Sequence, residues 1–459
     1  MTELSRALTE LAWSAVGGDT HTADRLTFIG SGGLASAFPV SDFAGAAVAT
    51  AALSVAELVG KAGASSPAVV VDRRLASIWF WASIRPEGWK LPAPWDPIAG
   101  DYPTRDGWIR LHTNAPHHRE AAERILEARG DRDAIGRAVA RWSKTALENA
   151  VVDAGGCAAE MRSIAEWQEH PQGRAVAAEP LVHFAVTAPE GMPRWPVLAA
   201  RPLAGIRVLD LTRVLAGPVA SRFLAGFGAD VLRIDPPDWD EPGVVPEVTR
   251  GKRCARLDLH TPDDRAVFER LLAGADILIH GYRPGALDGL GFDAAKRRKL
   301  APGLVDVSLD AYGWSGPWAG RRGFDSLVQM SAGIADRGMR LGHKPKPLPL
   351  PVQALDHATG YLMAATAIRG LTRRLENGAG TEARLSLARS AKLLIDHERQ
   401  GNDSPLAPET ESDLVPAIEQ TDWGPARRIV APFNVSGTPQ QWDLPARKLG
   451  AAKPEWSLR

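Results

Sequence analysis

The feature that most constrains the fold is a strand, a helix and a second strand that follow one another within residues 206–235. Residues 206–211 predict a buried strand, Pro218 marks the opening of a helix because proline fits a first helical position, and residues 230–235 predict the second strand. A strand–helix–strand unit of this kind belongs to a parallel sheet covered by helices. A parallel sheet therefore begins near the middle of a chain of 459 residues.

The alternation of strands and helices continues along the chain. Strands are predicted at 276–280 and 304–308, and a helix before them opens with Thr261 as N-cap, a proline next and an acid three residues after the cap. Repeated alternation predicts an α/β fold with an open, mostly parallel Rossmann-like sheet and with ligands at the carboxyl ends of its strands. The turns at those ends are 212–217, 281–285 and 310–313. Neither a dinucleotide glycine fingerprint nor a Walker loop is present.

An internal repeat stands outside this pattern. Residues 41–53 and 355–368 both place an aspartate at the opening of an alanine-rich helix, and a Gly/Ser turn and a short strand follow each of them. The aspartates are Asp42 and Asp356. Asp356 has two interpretations: a helix N-cap, which aspartate often provides, or a functional carboxylate at a junction where active sites of α/β sheets cluster. Because the two segments are short and alanine-rich, chance similarity between them is the alternative to a true repeat.

Composition excludes several classes of function. Lys+Arg and Asp+Glu are equal at 54 each and the pI is about 7.2, so nucleic acid and anionic membranes are not expected partners. Cys157 and Cys254 have no partner motif and the histidines lack ligand spacing, which predicts neither disulfide nor metal. The longest apolar run, 43–58, is too short to span a bilayer, and the N-terminus carries acids unlike a signal peptide. A cytoplasmic protein is expected.

The predicted organisation has four parts. Residues 1–85 form N-terminal helices that carry the partial repeat and pack on the large domain, 86–185 a small α+β domain, 186–202 a linker, and 203–459 the large domain. Within the large domain, Arg250-Gly-Lys-Arg253 places three cations around a glycine. This cluster is either a solvated turn or an anion site for phosphates.

Taken together, these phrases resemble the class III coenzyme A transferase family, which includes formyl-CoA transferase, carnitine CoA-transferase and the α-methylacyl-CoA racemases. The matching stretches are 202–218, 226–235, 250–253, 257–259, 282–285, 312–317, 322–325, 356–360 and 436–439. The small-domain phrases, 102–108 and 170–172, precede the large domain, whereas in the family they follow it. With 35–78 as a second copy of the Asp-bearing segment, the chain resembles a circular permutation with one segment duplicated.

The resemblance implies a site. The family's nucleophile is the Asp of Asp-x-x-x-Gly; Asp356 keeps that spacing, and Asp42 is one residue short, which implies a vestigial or structural copy. Backbone N–H groups near Asp356 would hold the oxyanion. The expected substrate is coenzyme A or an acyl-CoA, and no metal is expected. Coenzyme A would contact Val214, Leu215, Ala216, Leu257, Asp258, His260, Gly281, Tyr282, Arg283, Arg322, Phe324 and Asp325, with Arg213 and Arg253 as candidate phosphate contacts.

The sequence departs from the family at four positions. Pro236, Gly281 and Gly289 replace an Arg, an Asn and an Arg of formyl-CoA transferase, and Phe324 replaces a racemase His. The predicted function is acyl-CoA:carboxylate CoA transfer through an aspartyl mixed anhydride and an aspartyl-CoA thioester. An acyl-CoA isomerase, racemase or lyase, and a CoA-binding pseudoenzyme, are the alternatives. An acyl-CoA donor, a small carboxylic acid acceptor and a second copy in a homodimer are the expected partners.

Overall fold

The computed structural model describes residues 3–63, 65–189, 195–398 and 404–457. Its first unit contains helices around a short parallel strand pair, β1 with β2. The elements are α1 (Glu3–Ala15), α2 (Thr20–Ala23), β1 (Leu26–Ile29), α3 (Val40–Ala62), β2 (Val69–Asp72), α4 (Arg73–Trp79) and β3 (Ile84–Pro86).

The second unit is a three-stranded antiparallel sheet with five helices, and it lies within the range predicted for the small α+β domain. Its own apolar cluster includes Ile109, Leu111, Ile135 and Leu147. The elements are β4 (Gly100–Thr104), β5 (Gly107–Leu111), α5 (Pro116–Leu126), α6 (Arg132–Val139), α7 (Lys144–Asp153), β6 (Ala158–Glu160), α8 (Ile164–Glu169) and α9 (Pro171–Ala178).

The third unit is the large α/β layer structure. Its elements are β7 (His183–Pro189), β8 (Arg207–Leu211), α10 (Ala216–Gly226), β9 (Asp230–Asp235), α11 (Val245–Val248), β10 (Lys252–Arg256), α12 (Pro262–Ala273), β11 (Ile277–His280), α13 (Ala286–Gly289), α14 (Ala294–Leu300), β12 (Val305–Asp310), α15 (Asp325–Ser331), α16 (Ile334–Leu341), α17 (Ala354–Asn377), β13 (Ala379–Ser386) and α18 (Leu387–Ile395). The sheet order is β10-β9-β8-β11-β12-β13-β7, with only β7 antiparallel. This doubly wound order confirms the predicted fold class and places the crevice for a ligand beside β8 and β11, where the strand order reverses.

Two details of the sequence interpretation need correction here. Residues 186–189, predicted as the start of a linker, belong to β7, where Val186 pairs with Thr381; the part of that linker at 190–194 lies outside the described residues. Helix α10 begins at Ala216, so Pro218 is its third residue. Proline is tolerated there because the N–H of a third helical residue has no partner within the helix.

The C-terminal segment leaves the large domain. It contains a short 3-10 helix (Glu411–Asp413), β14 (Glu419–Thr421), β15 (Gly424–Arg428) and β16 (Phe433–Val435). β15 pairs with β3 and β16 with β2, both antiparallel. The predicted large domain 203–459 is therefore too long, since its last strands complete sheets of the N-terminal unit. These pairings join residues that lie more than three hundred positions apart, and no local pattern records them.

The two repeat helices, α3 and α17, pack against each other and connect the first unit to the large domain. Both are buried along most of their length, and their alanine and glycine residues permit close approach of the axes. Each leads through a strand into a helix capped by a side chain, Asp72 for α4 and Ser386 for α18. The repeat is therefore a repeated helix–strand–helix unit. Among the described helices, α3 alone is long and apolar enough to span a bilayer, and 94% of its most apolar window is buried within the protein.

Candidate active site

A cavity of about 400 Å³ opens at the carboxyl edge of the parallel strands. The segments after β8, β11 and β12 line it, together with the beginnings of α5 and α17. The structure brings nine of the predicted site residues to its wall: Arg213, Val214, Ala216, Gly281, Tyr282, Arg283, Arg322, Phe324 and Asp356.

Asp356 lies in the first turn of α17, whose N-cap is Gln353, so the interpretation of Asp356 as an N-cap is wrong. Its carboxyl group is only 6% exposed and faces the cavity. No salt bridge or side-chain hydrogen bond to it is formed by any other residue in the part of the chain that the structure describes. Burial, together with the nearby Asp325, raises the pKa of Asp356 well above its usual range.

Asp325 holds the first turn of α17 in place through hydrogen bonds. One of its carboxylate oxygens accepts the backbone N–H groups of Leu355 at 2.9 Å and Asp356 at 3.0 Å, and the other accepts the Gln329 side-chain amide. Burial raises the pKa of Asp325 to about 6. Because these hydrogen bonds favour the ionised form, Asp325 carries the negative charge of the pair before Asp356 does. Asp325 was predicted to contact CoA; the structure instead makes it a support behind Asp356.

Asp325→Ala is expected to destabilise the protein by about 2–4 kcal/mol, since two buried N–H groups lose their acceptor at about 1–3 kcal/mol each. Urea denaturation monitored by circular dichroism measures the loss. Asp325→Asn is the matched control: it keeps an acceptor oxygen and should lose less. An alanine variant as stable as the wild type would contradict the support role.

Asp42, the repeat counterpart of Asp356, has a different environment. It is fully buried, accepts a hydrogen bond from the Ser5 hydroxyl at 2.6 Å, and binds the Arg73 guanidinium at 2.9 and 3.0 Å. It does not line the cavity described above. The structure therefore supports the interpretation of Asp42 as a structural copy.

The turn after β8 holds a strained backbone against the cavity. Val214 has φ of 63°, a left-handed conformation that is costly for a β-branched residue. Its N–H donates to the Glu241 carboxylate at 2.7 Å, and Arg233 pairs with the same carboxylate. Below the turn, buried Asp210 accepts the Thr212 N–H at 2.9 Å. The turn that was predicted to contact CoA is thus held in place from two sides.

Three arginines at the cavity can receive an anion. Arg213 packs over the rings of Trp239 at 4.5 Å and Tyr282 at 5.3 Å. Arg283 and Arg322 are exposed, and Arg322 donates to the Gly155 carbonyl at 3.1 Å. Within the described ranges none of the three pairs with a carboxylate. Their guanidinium groups are consequently available to phosphate or carboxylate oxygens.

The Arg250–Arg253 cluster matches neither of its two interpretations. Arg250 pairs with Glu419 at 3.1 Å, Lys252 with buried Asp210 at 3.1 Å and Arg253 with Asp230 at 2.8 Å. Arg253 lies near the amino end of β10, whereas the cavity is at the carboxyl edge of the sheet. The prediction of Arg253 as a phosphate contact is therefore corrected: it is a structural ion-pair residue.

Four further predicted contacts lie outside the cavity wall. Leu215 and Leu257 are buried in apolar clusters. Asp258 accepts the N–H of His260 at 3.0 Å in the turn that follows β10. This turn lies along the same sheet edge, two strands from β8. Contact of these residues with CoA stays a prediction.

The sequence interpretation missed the contribution of the small domain. His117 and His118 line the cavity from the beginning of α5. Phe324 stacks on His112 at 3.8 Å between ring centroids and meets the edge of His118. Burial lowers the pKa of His112 and His118 to about 3, so both rings are neutral. The small domain therefore closes one wall of the site through an aromatic cluster.

Asp310 was also missed, although it begins one of the turns predicted to bind ligand. It is the last residue of β12 and lines the same cavity as Asp356. A carboxyl group at a strand end inside a predicted ligand turn was the signal available in the sequence.

The chain is similar in sequence to several known proteins. Residues 203–405 match the family model CoA-transferase family III. An acyl-CoA transferase of Gibberella moniliformis is 30% identical over 338 residues, which cover 70% of this chain and 55% of that protein. The succinyl-CoA:glutarate CoA-transferase of Mus musculus is 28% identical over 263 residues, covering 54% of this chain and 57% of that protein. A crystal structure of Rv3272 from Mycobacterium tuberculosis is 31% identical and covers 43% of this chain and 57% of that chain, with a TM-score of 0.40. The chain thus spans about half the length of the curated relatives it matches.

Proposed function

Because this chain belongs to the class III CoA-transferase family, we propose that it transfers coenzyme A from an acyl-CoA to a carboxylate, with Asp356 as the nucleophile. One observation carries this proposal: Asp356 faces the cavity with no salt-bridge partner among the described residues, whereas its repeat copy Asp42 is bound to Arg73. A nucleophile needs an oxygen that can reach the substrate, and only the first of these two carboxyl groups offers one.

The first half of the reaction releases the donor acid. An oxygen of ionised Asp356 attacks the thioester carbon, the carbon–sulfur bond breaks, and CoA leaves as a thiolate. The thiolate then attacks the side-chain carbonyl carbon of Asp356 in the resulting mixed anhydride. The anhydride C–O bond breaks, the donor acid leaves as a carboxylate, and CoA remains as an aspartyl thioester.

The second half reverses these steps with the acceptor. The acceptor carboxylate attacks the aspartyl thioester carbon and displaces the CoA thiolate, which gives a second mixed anhydride. The thiolate attacks the acceptor's acyl carbon, so that the new acyl-CoA leaves and the Asp356 carboxylate is regenerated. No proton is gained or lost over the cycle, since the entering and the leaving acid are both carboxylates.

The cavity wall suggests how CoA is held. The turn at Val214 and the segment Gly281–Arg283 lie on the two strands, β8 and β11, where the sheet order reverses. Arg213, Arg283 and Arg322 would meet the phosphates or the carboxylate of the substrates. These contacts replace the family contacts that are absent at Pro236, Gly281 and Gly289. The racemase alternative depends on an acid–base group at position 324, where the phenyl ring of Phe324 stacks on His112.

Covalent trapping tests the proposal. Incubation with a panel of acyl-CoAs, followed by acid quenching and peptide mass spectrometry, is expected to show a CoA or acyl adduct on the peptide that contains Asp356. The peptide that contains Asp42 is the internal control and should stay unmodified. An adduct on Asp42, or CoA transfer with no adduct on Asp356, would refute the assignment of the nucleophile.

The expected homodimer and the cytoplasmic location stay predictions, as does a small carboxylic acid as acceptor.

A further inference from the structure

The backbone donors expected to stabilise the reaction are already used. Attack of Asp356 on an acyl carbon places negative charge on the acyl oxygen, and a donor must be in position where that charge develops. The N–H groups of Leu355 and Asp356 donate to Asp325. Those of Ala354 and His357 donate to backbone carbonyls at 2.8 and 3.1 Å. The first turn of α17 therefore has no N–H left for the acyl oxygen, contrary to the expectation from the sequence.

Asp310 offers a donor in the same cavity. It ends β12 at the carboxyl edge of the sheet, is 8% exposed and lines the cavity with Asp356. One of its oxygens accepts the N–H of Gly313 at 2.8 Å, which fixes the orientation of the carboxyl group. The turn behind it is held by Gln172 and Glu179, which bond the backbone of residues 312–318. Its second oxygen has no protein partner in the ranges that the structure describes.

Burial keeps Asp310 protonated at neutral pH. Burial, with a smaller contribution from the like charge of Glu179, raises the pKa of Asp310 to about 8, although the hydrogen bond from the Gly313 N–H acts in the opposite direction. A carboxyl group in this state is neutral at pH 7 and can donate a hydrogen bond. The other titratable or charged groups on the cavity wall are His117, His118, Arg213, Tyr282, Arg283, Arg321, Arg322 and Asp356.

We propose that Asp310 donates a hydrogen bond from its second oxygen to the acyl oxygen of the substrate while Asp356 attacks the acyl carbon. The proton stays on Asp310, so no bond to it forms or breaks. This role rests on the proposed function, and it makes Asp310 a second catalytic carboxyl group at the site.

The kinetic test uses two substitutions. Asp310→Ala removes the donor, and the expected loss is about 10²–10³-fold in kcat. Asp310→Asn keeps an N–H donor that does not ionise and should retain most of the activity. In the wild type kcat should fall as the pH rises through about 8, because Asp310 loses its proton there; in Asp310→Asn this alkaline decline should be absent. Full activity in Asp310→Ala, or an alkaline decline that persists in Asp310→Asn, would overturn the proposal.

A spectroscopic test does not depend on turnover. The carbonyl stretch of a ¹³C-labelled acyl-CoA bound to Asp356→Ala protein should shift to lower frequency on binding, and the shift should be lost when Asp310→Ala is added but kept with Asp310→Asn. Ser308→Ala, on the same strand, is the matched control and should keep the shift. An unchanged shift with Asp310→Ala overturns this inference alone. A shift that behaves as expected, in a wild-type protein that transfers no CoA, supports the inference and overturns the proposed function instead.

Discussion

Replacing Asp356 by alanine is expected to reduce CoA transfer by about 10⁴-fold or more, because every covalent step of the proposed reaction uses this carboxyl group. Coupled assays of acyl-CoA consumption, with a donor found by screening, measure the loss. The binding of CoA should persist, since the arginines and the turn at Val214 are unchanged; isothermal titration with CoA checks this. Transfer at the wild-type rate in Asp356→Ala would end the proposed mechanism.

The same substitution should leave the folded state at least as stable as the wild type. The pKa of Asp356 is raised, so between about pH 4 and its folded-state pKa the folded protein holds a proton that the unfolded chain releases. Stability contributed in this way is fully present below the unfolded pKa and is lost as the pH rises through the folded pKa. Thermal unfolding at pH 5 and pH 8 should therefore show a smaller decline in Asp356→Ala than in the wild type. A lower melting temperature in the variant at pH 8 would contradict this expectation.

Asp42→Ala should have the opposite profile: a loss of about 3–5 kcal/mol in the free energy of unfolding, with the chemistry of the site intact. Arg73 is 1% exposed, and the substitution takes the Asp42 carboxylate away from its buried guanidinium. The stability is lost at α3, the helix that carries Asp42. This helix packs against α17, which carries Asp356. Chemical denaturation measures it.

Asp42→Asn is the matched control for this second prediction. The amide keeps the volume and an acceptor for the Ser5 hydroxyl but lacks the charge, so the loss should be smaller than with alanine. Folded protein of either variant, prepared at low temperature, should still form the covalent adduct on Asp356. Wild-type stability in Asp42→Ala, or loss of the adduct in a variant that remains folded, would show that Asp42 is not the structural copy.

The contrast between Asp42 and Asp356 shows how much the spacing of residues in the sequence can predict about the site. Asp-x-x-x-Gly favoured Asp356 over Asp42, and the structure agrees in placing only Asp356 at the cavity described. The reason is not the spacing itself: Asp42 has Ser5 and Arg73 as partners, whereas Asp356 lies beside Asp325 of α15, another acid. Asp42 is paired with its neighbours inside the protein, whereas the carboxyl group of Asp356 is left without a pairing cation and faces the cavity.

For the arginines predicted at the site, the sequence was a less reliable guide. Three of the arginines predicted at the site, Arg213, Arg283 and Arg322, lie at the cavity because they follow the carboxyl ends of strands or precede α15. Arg253 was predicted as a phosphate contact from a stretch that clusters cations and matches the family, but it lies near the amino end of β10 and pairs with Asp230. Position along a strand, more than residue type, decided which of these cations lie at the cavity.

The sequence by itself determined the alternation of strands and helices, the parallel sheet, the turns at its carboxyl edge and the repeat of an Asp-bearing helix, since hydrophobic period, caps and turn residues act within a few positions of one another. Only the tertiary structure decided that α3 packs on α17, that β15 and β16 return to the N-terminal unit, that Asp325 occupies the first N–H groups of α17, and that Asp310 shares a cavity with Asp356. Each of these depends on contacts between residues far apart in the chain, and on burial, which changes the protonation of a carboxyl group without changing the sequence around it.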